Sequence, residues 1–151
     1  DRGLEICSDQ ERFNLELLRG ELLLDLGSPT ESINVYRRAK ESSTSEVDRC
    51  HAAIGIAEGL RVTEELDEVL GELEEAEVLA QGHELSLELS RIHQLRGGVN
   101  FLRGNIEQCV ESSQAALKFA PTAGSPKTTA QVLSGLGDAE YLRGRMISAN
   151  R

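Results

Sequence analysis

Three histidines and three cysteines are the side chains best suited to nucleophilic or metal chemistry. Cys50 and His51 are adjacent. On a helix their side chains diverge by about 100°, so they cannot act together as nucleophile and base. Cys7 and Cys109 lie far from Cys50 and form no CxxC pair, which argues against a zinc site and a disulfide framework. We interpret the cysteines as core or half-buried residues, and we expect no metal and no cofactor.

Carboxylates are more abundant, and they are concentrated between Glu58 and Glu77. This segment holds nine acids and one base, Arg61. Calcium ligands alternate within a loop that contains a turn glycine, whereas these acids fall on a predicted helix. We interpret them as a solvated helix face, with a docking surface for a basic segment as the alternative. The chain has no nucleophile elbow, phosphate-binding loop or HExxH motif, so we predict that it is not an enzyme.

Charge and composition narrow the possible partners. The 151-residue chain carries a net charge of −10, which disfavours nucleic acid. Residues 1–90 hold 22 acids and 8 bases, a net of −14, whereas residues 91–151 hold 4 acids and 8 bases, a net of +4. No run of about 18 apolar residues predicts a membrane span, and no signal peptide is visible. We expect a cytoplasmic protein, and the first residue, which is not Met, suggests a fragment of a larger one.

Turn and cap residues recur along the chain and predict helices of about 14 to 20 residues. Capping boxes are expected at Ser8 with Glu11 and at Ser43 with Glu46, and Thr63 is expected to cap a further helix. The predicted helix ends are Gly27, Val62, Gly82, Gly104 and Gly144. A last helix is expected to begin near Arg145. Because no stretch alternates as a strand would, the prediction is an all-α chain of about seven or eight helices, folded as a single domain over residues 1–151.

Apolar residues at spacings of three and four form stripes along two of these helices. The stripes are Leu15, Leu18, Leu22 and Leu26, and then Ile92, Leu95, Val99 and Leu102. Such spacing places side chains on one face of a helix. We expect both stripes to form hydrophobic core.

Small residues repeat at a nearly constant interval. Gly20, Ala57, Gly97 and Gly137 are separated by 37, 40 and 40 residues. A small residue inside a helix allows a neighbouring helix to approach closely, which compensates for its poor helix propensity. The second helices repeat in the same register, with Ser32, Val69, Cys109 and Ala149, then Tyr36, Leu73 and Ser113, then Ala39, Ala76 and Ala116, and then Pro121. The chain therefore predicts antiparallel helical hairpins in tandem.

These residues resemble the tetratricopeptide repeat, in which a small residue of the first helix is followed by a second helix with small, aromatic and alanine positions and a closing proline. The units are residues 9–43, 44–82, 83–121 and a truncated unit, 124–151. The pattern departs at Arg19 and Arg96, where a large apolar residue is expected. The resemblance implies hairpins stacked in a right-handed superhelix. The segments RIHQLRGGVNFLRG and GLGDAEYLRGRM also resemble helical-repeat regions of large bacterial signalling proteins that carry an ATPase module and a nucleotide-cyclase or DNA-binding domain.

In that family the first helix of each hairpin lines a concave face that binds peptides or helices. Carried over to this chain, the candidate partner-binding residues are Asn14, Glu21, His51, Glu58, Arg61, Arg91, Gln94, Phe101, Gln131, Ser134, Asp138 and Tyr141. Phe101 and Tyr141 are either interface anchors or packed between hairpins. The expected partner is a protein or peptide segment, or another domain of the parent protein. The alternatives are a structural module that self-associates through exposed repeat ends, and a small-molecule effector sensor.

Overall fold

Seven α-helices make up the regular structure of the residues that the computed structural model describes, 8–120, 124 and 126–149. In chain order they are α1 (Asp9–Asp25), α2 (Pro29–Ser42), α3 (Glu46–Val62), α4 (Leu66–Gly82), α5 (Ser86–Leu102), α6 (Ile106–Phe119) and α7 (Pro126–Ala149). The all-α prediction is confirmed. The helices belong to two compact units, Asp1–Leu79 and Ala80–Arg151. The superhelical arrangement of the repeats stays a prediction.

In the first unit, α2 packs against both α1 and α3. Phe13, Ala39 and Ala52 form a buried cluster, and Leu17 packs against it. The Ser32 hydroxyl donates a 2.7 Å hydrogen bond to the carbonyl oxygen of Gly20. This bond ties α2 to α1 at the small residue that the repeat register identifies.

The ring of Tyr36 fills the space that two glycines leave open. A Cβ atom added to Gly20 would lie 2.6 Å from the ring, and one added to Gly55 would lie 2.5 Å from it. A Cβ atom added to Gly59, the second glycine of α3, would lie 2.5 Å from the side chain of Ile33. No real Cβ atom tolerates such distances, so α2 reaches α1 and α3 because these positions lack side chains. The predicted close approach at Gly20 is confirmed.

Ion pairs join α2 to α4 in the same unit. The Lys40 ammonium contacts Glu72 at 2.8 Å and Glu75 at 2.6 Å. Burial by itself would lower the pKa of Lys40, but its hydrogen bonds and charge interactions with the two carboxylates outweigh burial and raise the pKa above 10.5. Part of the acidic helix α4 is therefore engaged within the chain.

In the second unit, α6 packs against both α5 and α7. Cys109, Val110 and Ala139 form its buried cluster, with Leu136 packed against it. A Cβ atom added to Gly97 of α5 would lie 3.2 Å from the Ser113 hydroxyl of α6. The predicted close approach is present at Gly97 as well, but it is looser than at Gly20.

The turns confirm one of the predicted helix caps and contradict two others. Ser8 and Glu11 form the expected capping box. However, α3 is capped by Ser45, whose side chain accepts from the backbone of Asp48, and Ser43 instead ends α2. Thr63 likewise ends α3 rather than starting α4. The prediction misplaced the cap of α3 because four hydroxyl residues, 42–45, stand next to one another and only Ser45 meets the free N–H groups of the helix.

Residues with a left-handed backbone conformation follow α1, α3 and α5 at the same repeat position. Gly27 has a φ of 78° and Gly104 a φ of 74°. Glu64, which stands where the terminal glycine of the second repeat would be, adopts the same conformation with a φ of 62°. This conformation satisfies the last carbonyls of a helix and reverses the chain, and it is strained for a residue with a Cβ atom. The turn therefore has the same backbone geometry where a glutamate takes the position of the glycine.

The leucine stripe of α1 contradicts the prediction of core. Leu15 is 60% exposed, Leu18 62%, Leu22 57% and Leu26 71%. The buried side of α1 instead carries Phe13 and Gly20. In contrast, Ile92, Leu95 and Val99 of α5 are buried as expected, although Leu102 is 51% exposed. Periodicity identifies an apolar face but not whether another helix lies against it, and this is why the prediction was wrong for α1.

The end of α7 also differs from the prediction. We expected a helix end at Gly144 and a new helix near Arg145, but α7 continues through both residues to Ala149. Gly27 and Gly104 turn the chain so that α2 and α6 can pack back on α1 and α5. Gly144 has no described atom within 4 Å of a Cβ position. A single glycine lowers helix stability by only about 1 kcal/mol, so it does not by itself end a helix.

Candidate functional site

The candidate residues of the first unit lie on α1 and α3, which contact each other. Asn14, Glu21 and Arg61 are exposed, whereas His51 and Glu58 are half-buried. His51 is therefore less accessible than the surface position that we expected. The five side chains supply hydrogen-bonding and charged groups of both signs.

A polar contact that the sequence analysis missed fixes α1 against α3 at this face. The Gln10 amide donates to the carboxylate of Asp48 at 3.2 Å and to the side chain of Asn14 at 3.2 Å. Asp48 is only 7% exposed. Because the Gln10 amide links Asn14 of α1 to a buried carboxylate of α3, Asn14 is held in position relative to α3. The one signal in the sequence is an acid in the first turn of α3, which helix capping also explains.

The candidate residues of the second unit lie on α5 and α7, which also contact each other. Arg91 and Gln94 of α5 are half-buried. On α7, the exposed candidates are Gln131, Ser134, Asp138 and Tyr141. Phe101 of α5 is 39% exposed and Tyr141 is 65% exposed. Of the two interpretations of these aromatic residues, the structure therefore favours exposed side chains over packing between hairpins.

Exposure distinguishes these two rings from the other three aromatic residues. Phe13 and Tyr36 are each 5% exposed. Phe119 stacks on the His93 ring with 5.7 Å between centroids. The Tyr141 ring, in contrast, contacts only the guanidinium of Arg145 among the described ring and cation contacts, at 5.8 Å. Aromatic side chains that remain in solvent beside an arginine are typical of protein-binding surfaces.

Metal-ligating and thiol groups are the next feature of the described residues. None of them form a group of three or more His, Cys, Asp or Glu side chains that could hold a metal ion. Cys50 and Cys109 are buried. Burial raises the pKa of the Cys109 thiol more than its hydrogen bond with Ser113 lowers it, and this disfavours the reactive thiolate. Cys7 lies outside the described residues.

The acidic segment of α4 is partly neutralised within the first unit. Glu72 and Glu75 are engaged by Lys40, and Glu68 lies 3.3 Å from the Arg37 guanidinium. This arrangement agrees with the interpretation of the segment as a helix face rather than a calcium site. It also leaves fewer carboxylates to bind a basic partner.

Comparisons with known proteins identify no relative, because no family model, curated protein or solved structure matches the chain. No helix within the described part of the chain is long and apolar enough to cross a membrane.

Proposed function

We propose that the chain is a non-catalytic, tetratricopeptide-like module that binds a protein segment on the face formed by α5 and α7 of its second compact unit. The observation that carries the proposal is the exposure of Phe101 and Tyr141, which occupy equivalent positions 40 residues apart on α5 and α7. Exposed aromatic residues lose little conformational entropy on binding and bury a large area, so they act as anchors.

Polar side chains beside these rings support the same proposal. Arg91 and Gln94 precede Phe101 on α5, and Ser134 and Asp138 precede Tyr141 on α7, at spacings of three, four and seven residues. Residues at these spacings share one side of a helix. An extended or helical segment could therefore contact apolar anchors and hydrogen-bonding groups on both helices at once, which gives both affinity and orientation.

A selection experiment tests the proposal without knowledge of the natural partner. Peptides are selected from a random displayed library on the immobilised chain, and their affinities are measured by titration calorimetry. Phe101→Ser and Tyr141→Ser are each expected to weaken a selected peptide at least about tenfold, because anchors carry most of the binding free energy. Val78→Ser is the matched control, since Val78 is 70% exposed on α4 and outside this face.

All three variants are expected to keep the melting temperature of the wild type within a few degrees, because exposed positions contribute little to stability. Selected peptides that bind both aromatic variants as tightly as the wild type would refute this face as the site. If the aromatic variants unfold instead, the rings belong to the core and the proposal loses its main support.

A second proposed role is structural, as part of a regulatory protein of the cytoplasm whose other domains cover this module. The exposed leucines of α1 are the observation that favours it, because apolar faces of this extent commonly mark contacts with other proteins or domains. The two roles involve different surfaces of the chain and do not exclude each other.

A further inference from the structure

The two helices of each hairpin meet at the same pair of repeat positions. The three pairs are Phe13 with Ala39, Cys50 with Ala76, and Ser90 with Ala116. The first pair lies in one buried cluster. In the other two, the Cys50 thiol donates to the Ala76 carbonyl at 3.5 Å, and the Ser90 hydroxyl donates to the Ala116 carbonyl at 3.0 Å. Helices α1, α3 and α5 therefore each present the same face to the helix that follows.

A glycine seven residues later lies on this face in two of the hairpins. Gly20 packs against the Tyr36 ring, and Gly97 packs against the Ser113 hydroxyl. In the first hairpin, the Gly20 carbonyl also accepts the 2.7 Å hydrogen bond from Ser32. The face thus combines a buried residue with a small one, and the following helix fills the space beside the small one.

Helix α7 carries the same face, but it is exposed. We call Ala130, Ser134, Gly137 and Tyr141 the open face of α7; spacings of three and four place them on one side of the helix. All four are exposed, and no described atom lies within 4 Å of a Cβ position at Gly137. In contrast, the residue equivalent to Ala130 is buried in α1, α3 and α5. No described helix therefore covers on α7 the face that is covered on the three earlier helices.

The open face continues the helix array of the second compact unit. Ala139 lies on the other side of α7, in the buried cluster with Cys109 and Val110 of α6. Helix α6 packs against both α5 and α7, and α5 also contacts α7. A further helix on the open face would pack on α7 as α6 packs on α5, so it would extend an interface that the chain already contains.

The helices that cover this face elsewhere in the chain specify the chemistry of an occupant. Each carries a small or β-branched residue, a second contact residue four positions later, and an alanine three positions beyond that. These residues are Ser32, Tyr36 and Ala39 in α2, Val69, Leu73 and Ala76 in α4, and Cys109, Ser113 and Ala116 in α6. All nine are at most 7% exposed. Because the space beside Gly137 is empty, the α2 pattern fits it best, with an aromatic ring that buries a large area.

We propose that the open face of α7 binds an amphipathic helix of a protein partner whose contact residues follow the α2 pattern, serine, then tyrosine, then alanine. The inference goes beyond the binding face proposed above, because it includes Tyr141 but does not need Phe101. A single pair of helices buries less than a standard interface, so we expect weak binding, with a dissociation constant on the order of 10–100 μM.

A synthetic peptide with the sequence of residues 28–43 is the probe. Isolated helices of this length are marginal in water, so a hydrocarbon staple between the positions of Asn34 and Arg38 holds the peptide helical. Both positions are exposed in α2 and lie away from its contact residues. Fluorescence anisotropy of the labelled peptide, titrated with the full chain over about 1 μM to 1 mM, spans the expected dissociation constant.

Substitutions in the chain locate the peptide. Gly137→Leu fills the space that the ring would enter and is expected to weaken binding at least about tenfold, while its better helix propensity keeps the chain folded. Gly135→Leu is the matched control and is expected to bind the peptide as the wild type does. Gly135 is also exposed with no described atom within 4 Å of a Cβ position, but it lies on another side of α7.

Substitutions in the peptide test the pattern without any effect on the fold of the chain. Tyr36→Ala is expected to weaken binding at least about tenfold, because the ring is the anchor. Arg37→Ala is the matched control, since Arg37 lies on the exposed side of α2. We expect it to change the affinity less than about twofold.

Three results would overturn the inference. The first is a wild-type chain that does not bind the stapled peptide throughout the concentration range. The second is an affinity that neither Gly137→Leu in the chain nor Tyr36→Ala in the peptide reduces. The third is a loss of at least about tenfold on Phe101→Ser, which would place the peptide across α5 and α7 and so support the binding face proposed above instead.

Discussion

The first hairpin (α1 and α2) and the third hairpin (α5 and α6) each pack around a glycine at the same repeat position. Different side chains fill the space beside the two glycines. The ring of Tyr36 packs against Gly20 and also fills the space beside Gly55. The Ser113 hydroxyl packs against Gly97. This hydroxyl donates a 2.9 Å hydrogen bond to the carbonyl of Cys109 in its own helix. The repeat therefore preserves the position of close approach but not the side chain that occupies it.

This difference separates two sources of stability. In the first hairpin, shape complementarity between an aromatic ring and two glycines fixes the distance between helices, so any added atom must displace the ring. In the third hairpin the contact is close but less tight, at 3.2 Å, and the nearest atom belongs to a small side chain that needs to move only slightly. We expect the two glycines to respond differently to the same substitution.

Gly20→Ala is predicted to have the largest effect. The added methyl group would lie 2.6 Å from the Tyr36 ring, and overpacking of this kind lowers the free energy of unfolding by about 1–3 kcal/mol despite the better helix propensity of alanine. Urea denaturation followed by far-ultraviolet circular dichroism measures the change. The matched substitution is Gly97→Ala, for which we expect a change of less than about 1 kcal/mol, since its Cβ atom would lie 3.2 Å from a hydroxyl.

A double-mutant cycle identifies the cause. If the ring is responsible, Gly20→Ala in a Tyr36→Ala background will lose most of its effect, because the space is then empty. An equal effect in both backgrounds would show that the glycine is required by the backbone rather than by the ring.

Ion pairs extend the comparison to the contacts between hairpins. Lys40, with a side chain 21% exposed, links α2 to two carboxylates of α4. In the second unit, Arg143 is 40% exposed and reaches Glu107, which is 63% exposed, at 3.0 Å. Lys40→Met is predicted to lower the free energy of unfolding at neutral pH by about 1 kcal/mol, and Arg143→Met by less than about 0.5 kcal/mol, because solvent screens exposed pairs.

The pH dependence of unfolding tests the Lys40 prediction. The pKa of Lys40 is raised above 10.5 in the folded chain, so its contribution is complete below about that pH and is lost as the pH rises through the folded pKa. The difference between wild type and Lys40→Met is therefore expected to remain constant from pH 7 to about 10 and to shrink as the pH rises from about 10.5 through the folded pKa. A difference that grows with alkaline pH would have the wrong sign and would refute the ion-pair explanation.

Much of the fold could be predicted from sequence because local signals determine it. The capping box at Ser8, the small residues at Gly20 and Gly97, and the turn at Gly27 all act over a few residues, and the structure contains each of them. Glu64 stands where the repeat register would place a turn glycine, and its φ of 62° agrees with that position.

What could not be predicted depends on neighbours that no local pattern specifies. The stripe on α1 and that on α5 have the same spacing, yet one is exposed and the other is mostly buried. Similarly, Gly104 and Gly144 each follow a Leu-Arg pair, but a helix ends before Gly104 and continues through Gly144. The candidate site shows the same limit, because the link from Gln10 to Asp48 joins residues 38 apart in the chain.

Gly137 extends the comparison to a substitution whose expected effect has the opposite sign. It shares the register of Gly20 and Gly97, but no described atom lies within 4 Å of its Cβ position. Gly137→Ala is therefore predicted to raise the free energy of unfolding by about 0.5–1 kcal/mol, since alanine favours the helix and restricts the unfolded chain. Urea denaturation measures the change. A loss of stability would show that another side chain occupies the space beside Gly137 in the folded chain, as the Tyr36 ring does beside Gly20.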